Sequence, residues 1–343
     1  MGDVRTRYDF ELDELAALLV EEPTYRVSQV FDGLHGGFRT PAELTNVPLE
    51  LRSSLETQLP SALRVEQMTT SDESATTKWA FRLHDGAVIE TVLMAYRNRV
   101  TVCVSSQAGC AMGCTFCATG QGGFGRHLST GEIIEQVVLA ARAAQPRRLS
   151  NIVFMGMGEP LANYDRVLSA VRRINGPLGI GARKMTISTV GVVPGIRRLA
   201  DEDLEVGLAV SLHAANDAKR DTLVPLNRRY PLGQLADACE AYVDATHRRL
   251  SFEWALIDGV NDTATDVSEL AAYARALRAH VNLIPLNPTP GYLVRGSTPE
   301  RVKAFAAELS DEGVTVTVRN TRGREIDAAC GQLASRVELG RSR

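Results

Sequence analysis

Along this chain the spacing of apolar positions changes character near residue 70 and again near residue 99. From about residue 10 to 59 apolar residues recur at helical intervals in short runs, 11–20, 27–34 before Gly36-Gly37, 41–47 and 49–59, which predicts a small helical module. Residues 78–83 and 87–94 alternate as strands do and flank His84-Asp85-Gly86, a hairpin turn. From residue 99 onward strand and helix alternate: strands at 100–104, 151–155, 184–189, 205–212, 250–256, 281–285 and 314–319, with helices at 130–144, 164–174, 195–200, 232–247, 265–277 and 299–309 between them. Ser129 and Glu132 form a capping box at the start of the first of these helices. Such alternation predicts an α/β fold with a parallel sheet and right-handed crossovers, either doubly wound or a complete or partial (β/α) barrel. The expected division is a helical accessory domain at 1–72, a β-hairpin connector at 73–98 and a core barrel with a C-terminal tail at 99–343.

Composition adds little to that picture and removes several alternatives. Of 343 residues 44% are hydrophobic and 23% charged, ordinary for a globular protein with a full core. No apolar run reaches membrane-spanning length, and the opening Met1-Gly2-Asp3-Val4-Arg5-Thr6 lacks the apolar centre of a signal peptide, so a cytoplasmic protein with no membrane partner is expected. A net charge of −3 gives no global attraction to nucleic acid. Local basic surface could still bind RNA, because the cations are nearly all arginine, with lysine at Lys78, Lys184, Lys219 and Lys303 alone. Arginines recur as the pairs Arg147-Arg148, Arg172-Arg173, Arg197-Arg198, Arg228-Arg229 and Arg248-Arg249, for which phosphate binding and solvated helix ends are equally good accounts.

The chemistry is concentrated in cysteine. Cys110, Cys114 and Cys117 are spaced C-x3-C-x2-C, while Cys103, Cys239 and Cys330 are scattered, a usage that fits a reducing compartment. Three thiolates with no fourth nearby suit structural zinc poorly, since zinc wants a closed tetrahedron of protein ligands. They suit an iron–sulfur cubane with one iron left for an outside ligand, for which the amino acid end of S-adenosylmethionine (SAM) is the natural candidate. In a barrel the reactive groups collect at the C-terminal ends of the strands. At those ends lie Gly156-Met157-Gly158-Glu159-Pro160, Ser188-Thr189, Ser211-Leu212-His213 and Asn287-Pro288. Glu159 could receive the ammonium of SAM, Ser188, Ser211 and Asn287 could bond a ribose or carboxylate, and His213 could be a ligand or an acid/base, though a lone histidine near a strand end is more often a satisfied structural residue. Cys103 shares a strand face with Thr101 and Ser105, and Cys330 falls in a tail that contains glycine. Either could be an inert cysteine.

Taken together, Cys110-Ala-Met-Gly-Cys114-Thr-Phe-Cys117, Gly156-Met-Gly-Glu159-Pro160, Asn287-Pro288 and Arg322-Gly-Arg-Glu-Ile-Asp-Ala-Ala-Cys330-Gly-Gln-Leu resemble the RlmN/Cfr family of radical SAM RNA adenosine methyltransferases. The resemblance covers nearly the whole chain, since Pro23-Thr-Tyr-Arg26 to Leu34 is similar to that family's N-terminal RNA-binding module. It implies a radical SAM partial barrel, a 4Fe-4S cluster on Cys110, Cys114 and Cys117, and a SAM site lined by Gly158, Glu159, Ser188, Ser211, Leu212, His213 and Asn287. It further implies that Cys330 carries the methyl group, Cys103 resolves the product by a disulfide with Cys330, and Glu90 accepts a proton. Position alone would make Glu90 a surface residue of a strand. The implied substrates are adenosine C2 in the peptidyl transferase centre of 23S rRNA and beside the anticodon of tRNAs, with an external electron donor such as flavodoxin and a monomeric enzyme. The alternatives are Cfr-type methylation at adenine C8, a radical SAM enzyme acting on protein or a small molecule, and a zinc-stabilised RNA-binding module.

Overall fold

A computed structural model describes residues 4–71, 75–287, 294–319, 326–328 and 332–333. The chain begins with helices α1 (Leu12–Leu18), α2 (Thr24–His35) and α3 (Leu49–Gln58), and continues into an antiparallel meander of β1 (Arg64–Ser71), β2 (Thr76–Arg82) and β3 (Val88–Ala95). Next come β4 (Val100–Cys103), β5 (Gln107–Gly109), the short α4 (Ala118–Gln121), β6 (Phe124–His127) and α5 (Thr130–Ala143). β7 (Asn151–Phe154), α6 (Tyr164–Asn175), β8 (Met185–Thr189), α7 (Val193–Ala200), β9 (Gly207–Ser211), α8 (Asp217–Leu223) and α9 (Leu232–Thr246) follow. The series ends with β10 (Leu250–Leu256), α10 (Ala264–Ala276), β11 (His280–Pro285), α11 (Pro299–Asp311) and β12 (Val316–Val318).

One ten-stranded sheet carries the fold, in the order β1-β2-β3-β4-β7-β8-β9-β10-β11-β12. The strands from β4 to β12 run parallel, and β1 to β4 run antiparallel to their neighbours. Its register sorts the side chains into two sets. Ile152, Ile187, Leu208, Val210, Phe252, Trp254, Val281 and Leu283 are all 0–1% exposed and form the apolar outer layer under the helices. The opposite face holds Lys78, Val92, Cys103, Val153 and Thr186 in one paired row and Ser211, Glu253, Asn282 and Thr317 in another. This second face curls inward. Arg319, just past β12, reaches the Met155 sulfur beyond β7 at 3.6 Å, although five strand-to-strand steps separate the two strands. The sheet is therefore a partial barrel, whose terminal strands β1 and β12 do not pair among the described residues.

Local chemistry starts the crossover helices. Ser129 Oγ accepts from Glu132 N while the Glu132 carboxylate accepts from Ser129 N at 2.8 Å, the expected capping box. Thr263 and Asp266 do the same for α10, while α11 has a one-way cap, Thr298 Oγ1 accepting from Arg301 N ahead of Pro299. Elsewhere the fold departs from the pattern-based expectation. Residues 64–71, expected within the helical domain, form strand β1, whose outward Val65 and Met68 and interleaved polar residues hide the alternation that would have marked it. The meander also continues the core sheet through β3–β4 and is not a separate connector. The helix expected at 41–47 is a single 3-10 turn, Pro41–Glu43, and α8 was not anticipated.

Two buried charged side chains fasten the helical module to the barrel. Glu135 of α5 accepts from Ala62 N at 2.7 Å and from Ser61 Oγ, and Arg173 of α6 donates to Tyr8 O at 2.6 Å and Phe10 O at 2.9 Å. Arg173 also donates to Nε2 of His35 at 3.0 Å. Burial, then the neighbouring guanidinium, push the His35 pKa down to about 4, so its ring is a neutral acceptor that gives its Nδ1 proton to Phe31 O. Other paired arginines are also engaged internally: Arg172 with Glu202, Arg198 with Asp165 and Arg148 with Gly179 O. Replacing Arg173 by Met strands two carbonyls and an imidazole in a buried seam. It is expected to lower unfolding free energy by about 2–4 kcal/mol in urea titration and to speed proteolysis of residues 1–63 ahead of the barrel. Uniform cleavage of both parts would contradict the seam's role.

Candidate active site

The three spaced cysteines sit in a hairpin of their own. β5 and β6 pair antiparallel, Gln107 opposite His127 and Ala108 opposite Arg126, and Cys110 N closes the loop on Gly123 O at 2.8 Å. Gly109 has φ +82°, and a Cβ there would stand 2.1 Å from Gly123 O, so only glycine fits. Cys117 N and the Gln121 amide both donate to Cys114 O, and Thr115 N donates to Leu223 O of α8. The run Gly120-Gln121-Gly122-Gly123 ends α4 and enters β6, and Gly120 is small because a Cβ there would come within 3.1 Å of Cys114 N.

All three cysteines open into one cavity of about 1010 Å³ counting its mouth, roomy enough for a ligand of SAM's size. Burial, ahead of every charge nearby, pushes the Cys110 thiol up to about 11 and raises Cys114 further. Such thiols are poor nucleophiles until a metal takes their protons. The three cysteines that line the cavity supply one donor fewer than the closed tetrahedron of structural zinc asks for, and leave one iron of a cubane open to an outside ligand. The donor set fits the cluster.

The same cavity is lined by Gly158, Glu159, Ser188, Ser211 and His213, at the ends of β7, β8 and β9. The glycines of Gly156-Met157-Gly158 answer to the chain itself: a Cβ on Gly156 would meet Val104 O at 2.6 Å, and one on Gly158, at φ +101°, would meet Gln107 Cβ at 2.5 Å. Met157 O takes bonds from Ser106 N and Gln107 N, which clamps this loop beneath the cysteine hairpin. Glu159 is 1% exposed. Its carboxylate accepts from Leu161 N at 3.0 Å and Val190 N at 2.9 Å, and burial outweighs those bonds to bring its pKa to about 7. The Thr189 side chain bonds the same carboxylate, and the acceptor capacity that remains could receive an ammonium group.

His213 resolves in favour of structure over acid/base chemistry. Its Nδ1 accepts from Ala255 N at 3.0 Å, its carbonyl accepts from Asn261 Nδ2 at 2.8 Å, and its backbone sits at φ +60°. Burial and then Arg220 press its pKa down to about 3, leaving a neutral ring edge-on to Phe116. Leu212 is fully buried and absent from the lining; its carbonyl instead accepts from Arg220 Nε. Asn287 is buried beside the lining residue Leu286 without itself belonging to the lining. Sequence reasoning missed Arg220. This 1% exposed side chain donates to Leu212 O, Val190 O and Asn227 Oδ1, binding the ends of β8 and β9 to α8. No periodicity marks one arginine in an unanticipated helix.

Cys103 and Glu90 lie on the inner face, as register requires: Val92 is paired with Cys103, and Glu90 is two residues from Val92 on the same face. Glu90 is 5% exposed, not on the surface, and pairs with Lys78 Nζ at 3.1 Å. Cys330 lies outside the described residues. Its described neighbours on either side reach this region, Asp327 O accepting from Lys78 Nζ at 3.3 Å and Leu333 O from Thr119 Oγ1 at 2.5 Å.

The raised carboxyl of Glu159 gives a signed pH effect in the ligand-free protein. With a pKa of about 7 folded against 4.5 ordinarily, it binds more protons folded than unfolded, so its contribution to stability declines as pH climbs from about 4.5 to about 7. Glu159→Gln removes that decline. The variant's unfolding free energy is expected to gain up to about 3 kcal/mol on the wild type across that window in urea titrations. A pH-independent difference would refute the assignment.

Similarity to known proteins agrees with this geometry. The Radical SAM superfamily pattern matches residues 104–274. Two relatives, each named a probable dual-specificity RNA methyltransferase RlmN, are 49% identical in Streptomyces griseus subsp. griseus, over 95% of this chain and 92% of the relative, and 50% identical in Chloroflexus aurantiacus, over 97% and 93%. The crystal structure of a radical SAM methyltransferase from Sphaerobacter thermophilus superposes with a TM-score of 0.94 at 48% identity, covering 97% of this chain and 100% of that one. With the cysteine hairpin, the partial barrel and half of all residues shared along nearly its full length, the chain belongs to the RlmN/Cfr family of radical SAM RNA methyltransferases.

Proposed function

We propose that this enzyme methylates C2 of adenosine in 23S rRNA, at the peptidyl transferase centre, and in tRNAs, beside the anticodon, through a methylated Cys330. The observation that carries the reading is the single cavity lined together by Cys110, Cys114 and Cys117 and by Glu159, Ser188 and Ser211. Cys110, Cys114 and Cys117 would hold the 4Fe-4S cluster and leave one iron for SAM. Adenine C2 is electron-poor and does not attack a sulfonium methyl, so ordinary polar transfer fails at this carbon. When bound, the cluster and SAM supply the methyl group and the one-electron chemistry that such a carbon demands.

The chain's own residues then have distinct tasks. Glu159 fixes the SAM ammonium through the acceptor capacity left by its two backbone bonds and Thr189, and Ser188 and Ser211 offer hydroxyls from the inner face. His213, held neutral by Ala255 N at its Nδ1, gives shape and an Nε2 donor but moves no proton. Asn287, beside the lining residue Leu286, completes the binding site, and Leu212 supports it by packing, its N–H and carbonyl being taken by Glu253 O, Ala214 N and Arg220 Nε. Cys330 carries the methyl group, Glu90 accepts the C2 proton, and the Cys103 thiolate displaces Cys330 from the product, leaving a disulfide for external reduction. The target adenosine must leave its stack to enter the cavity, a cost of about a few kcal/mol that favours loop nucleotides already splayed. An external one-electron donor of the flavodoxin type, a monomeric state and a cytoplasmic location complete the proposal. In its favour, no helix of the described residues is long and apolar enough to cross a membrane.

Anaerobic reconstitution with methyl-labelled SAM and protein-free ribosomal RNA tests the whole reading. Label is expected on adenine C2 and on Cys330; label at C8, or a colourless protein with one zinc and no iron, would overturn it. Cys330→Ala is expected to keep full iron content and colour while losing RNA methylation completely. Cys114→Ala should lose most of its iron, read by iron analysis and visible absorbance.

A further inference from the structure

Lys78 is one of four lysines in a chain that otherwise uses arginine, and neither the cluster nor the SAM site employs it. It lies on β2 directly opposite Val92 of β3, which is directly opposite Cys103 of β4. Lys78, Glu90 and Cys103 therefore surround Val92 on the inner face of the sheet. The Lys78 ammonium touches two things there: Glu90 Oε1 at 3.1 Å and the carbonyl of Asp327 at 3.3 Å, three residues before Cys330. Its side chain is 15% exposed and that of Glu90 7%, so the pair is largely withdrawn from solvent. A carboxylate buried this deeply needs a counter-charge, and a cation that also holds the chain leading to Cys330 sets where that carboxylate stands. An ammonium has three donors, enough to bond a carboxylate and a carbonyl at once.

We propose that Lys78 is a positioning residue for product release: its ammonium holds the Glu90 carboxylate against the segment that leads to Cys330, so the base stands beside the tethered nucleobase. This rests on the roles of Glu90 and Cys330 proposed above. Lys78 takes part in no bond made or broken. In the step it serves, the C2–H bond breaks, its electron pair stays on the ring, and the proton passes to a Glu90 oxygen. Loading of the methyl group onto Cys330 precedes that step and does not require Lys78.

The test uses the reconstituted enzyme with Lys78→Gln, which keeps two amide donors but no charge, Lys78→Arg, which keeps the charge, and Glu90→Gln. Mass spectrometry reads S-methylation of Cys330, and denaturing gels read the covalent RNA–protein adduct. Lys78→Gln is expected to methylate Cys330 at the wild-type rate, release methylated RNA at least about tenfold more slowly and accumulate the adduct, with Lys78→Arg recovering most of the release. Wild-type release by Lys78→Gln, or equal loss of Cys330 methylation and release in both Lys78 variants, would overturn the proposal and leave Lys78 a fold-stabilising residue. If Glu90→Gln itself accumulates no adduct, the assignment of Glu90 as base fails, whatever the Lys78 variants do. Should Lys78→Gln not fold, Lys78→Arg decides: near-wild-type release supports the charge-positioning role, and a stalled adduct-free enzyme overturns it.

Discussion

A strand residue can face only one of two ways, and this two-fold alternation is the constraint on which the rest of the structure depends. The outward set of the large sheet, from Ile152 to Leu283, is apolar and sealed by helices, so the register of every parallel strand is fixed by burial. Once that face is fixed, the inward set has no choice. Ser188, Ser211 and Glu253 must face the lumen on their strands, as must Cys103, Glu90 and Lys78 on theirs. A one-residue slip in β4 would turn Cys103 into the helix layer and bring Val102 inside. The polar lumen follows from packing the opposite side.

Around the cavity, Arg220 and Glu159 are each tied to backbone. Arg220 spends its donors on three carbonyls and an amide oxygen, and Glu159 spends one lone pair per oxygen on a peptide N–H. Neither arrangement is the cheapest way to fill space; well-packed apolar groups would stabilise as much. What such bonds specify is geometry. Arg220 fixes the ends of β8 and β9 relative to α8, which receives the cysteine loop through Thr115 N and Leu223 O. The two parts of the cavity lining thus share one chain of hydrogen bonds. His213, strained at φ +60° and bonded at both ring and carbonyl, belongs to the same framework.

Much of this was legible in the sequence because the strongest signals are short and local. The β10 strand, the capping box of α5 and the crossover helices follow from period and end chemistry, and the cysteine spacing identifies the cluster loop without any fold. Less legible were elements whose pattern is set by distant partners. β1 is a polar edge strand that exists through pairing with β2, and α8 is a single short helix held by Arg220. Glu90 reads as a surface residue because its burial depends on β2, β4 and the tail meeting around it. The glycines of the Gly156–Gly158 loop make room for Val104 and Gln107, residues some fifty positions away, so the need for glycine there shows only in the fold.

Of the three cysteines outside the cluster loop, Cys239 is buried in α9, and Cys103 and Cys330 stand on very different parts of the chain. Cys103 is set in a strand hydrogen-bonded on both sides, to β3 and to β7, and cannot travel. Cys330 belongs to the segment after the last strand, whose described residues contact the sheet at Lys78 on one side and α4 at Thr119 on the other. In the proposed reaction Cys330 delivers the carbon to the base and the Cys103 thiolate then attacks the Cys330 sulfur, breaking its bond to that carbon and leaving the methyl group on the base and a disulfide in the protein. Two cysteines on neighbouring strands would be held at a separation frozen by the ladder. A thiol fixed in the sheet and one beyond the last strand are not bound by that constraint.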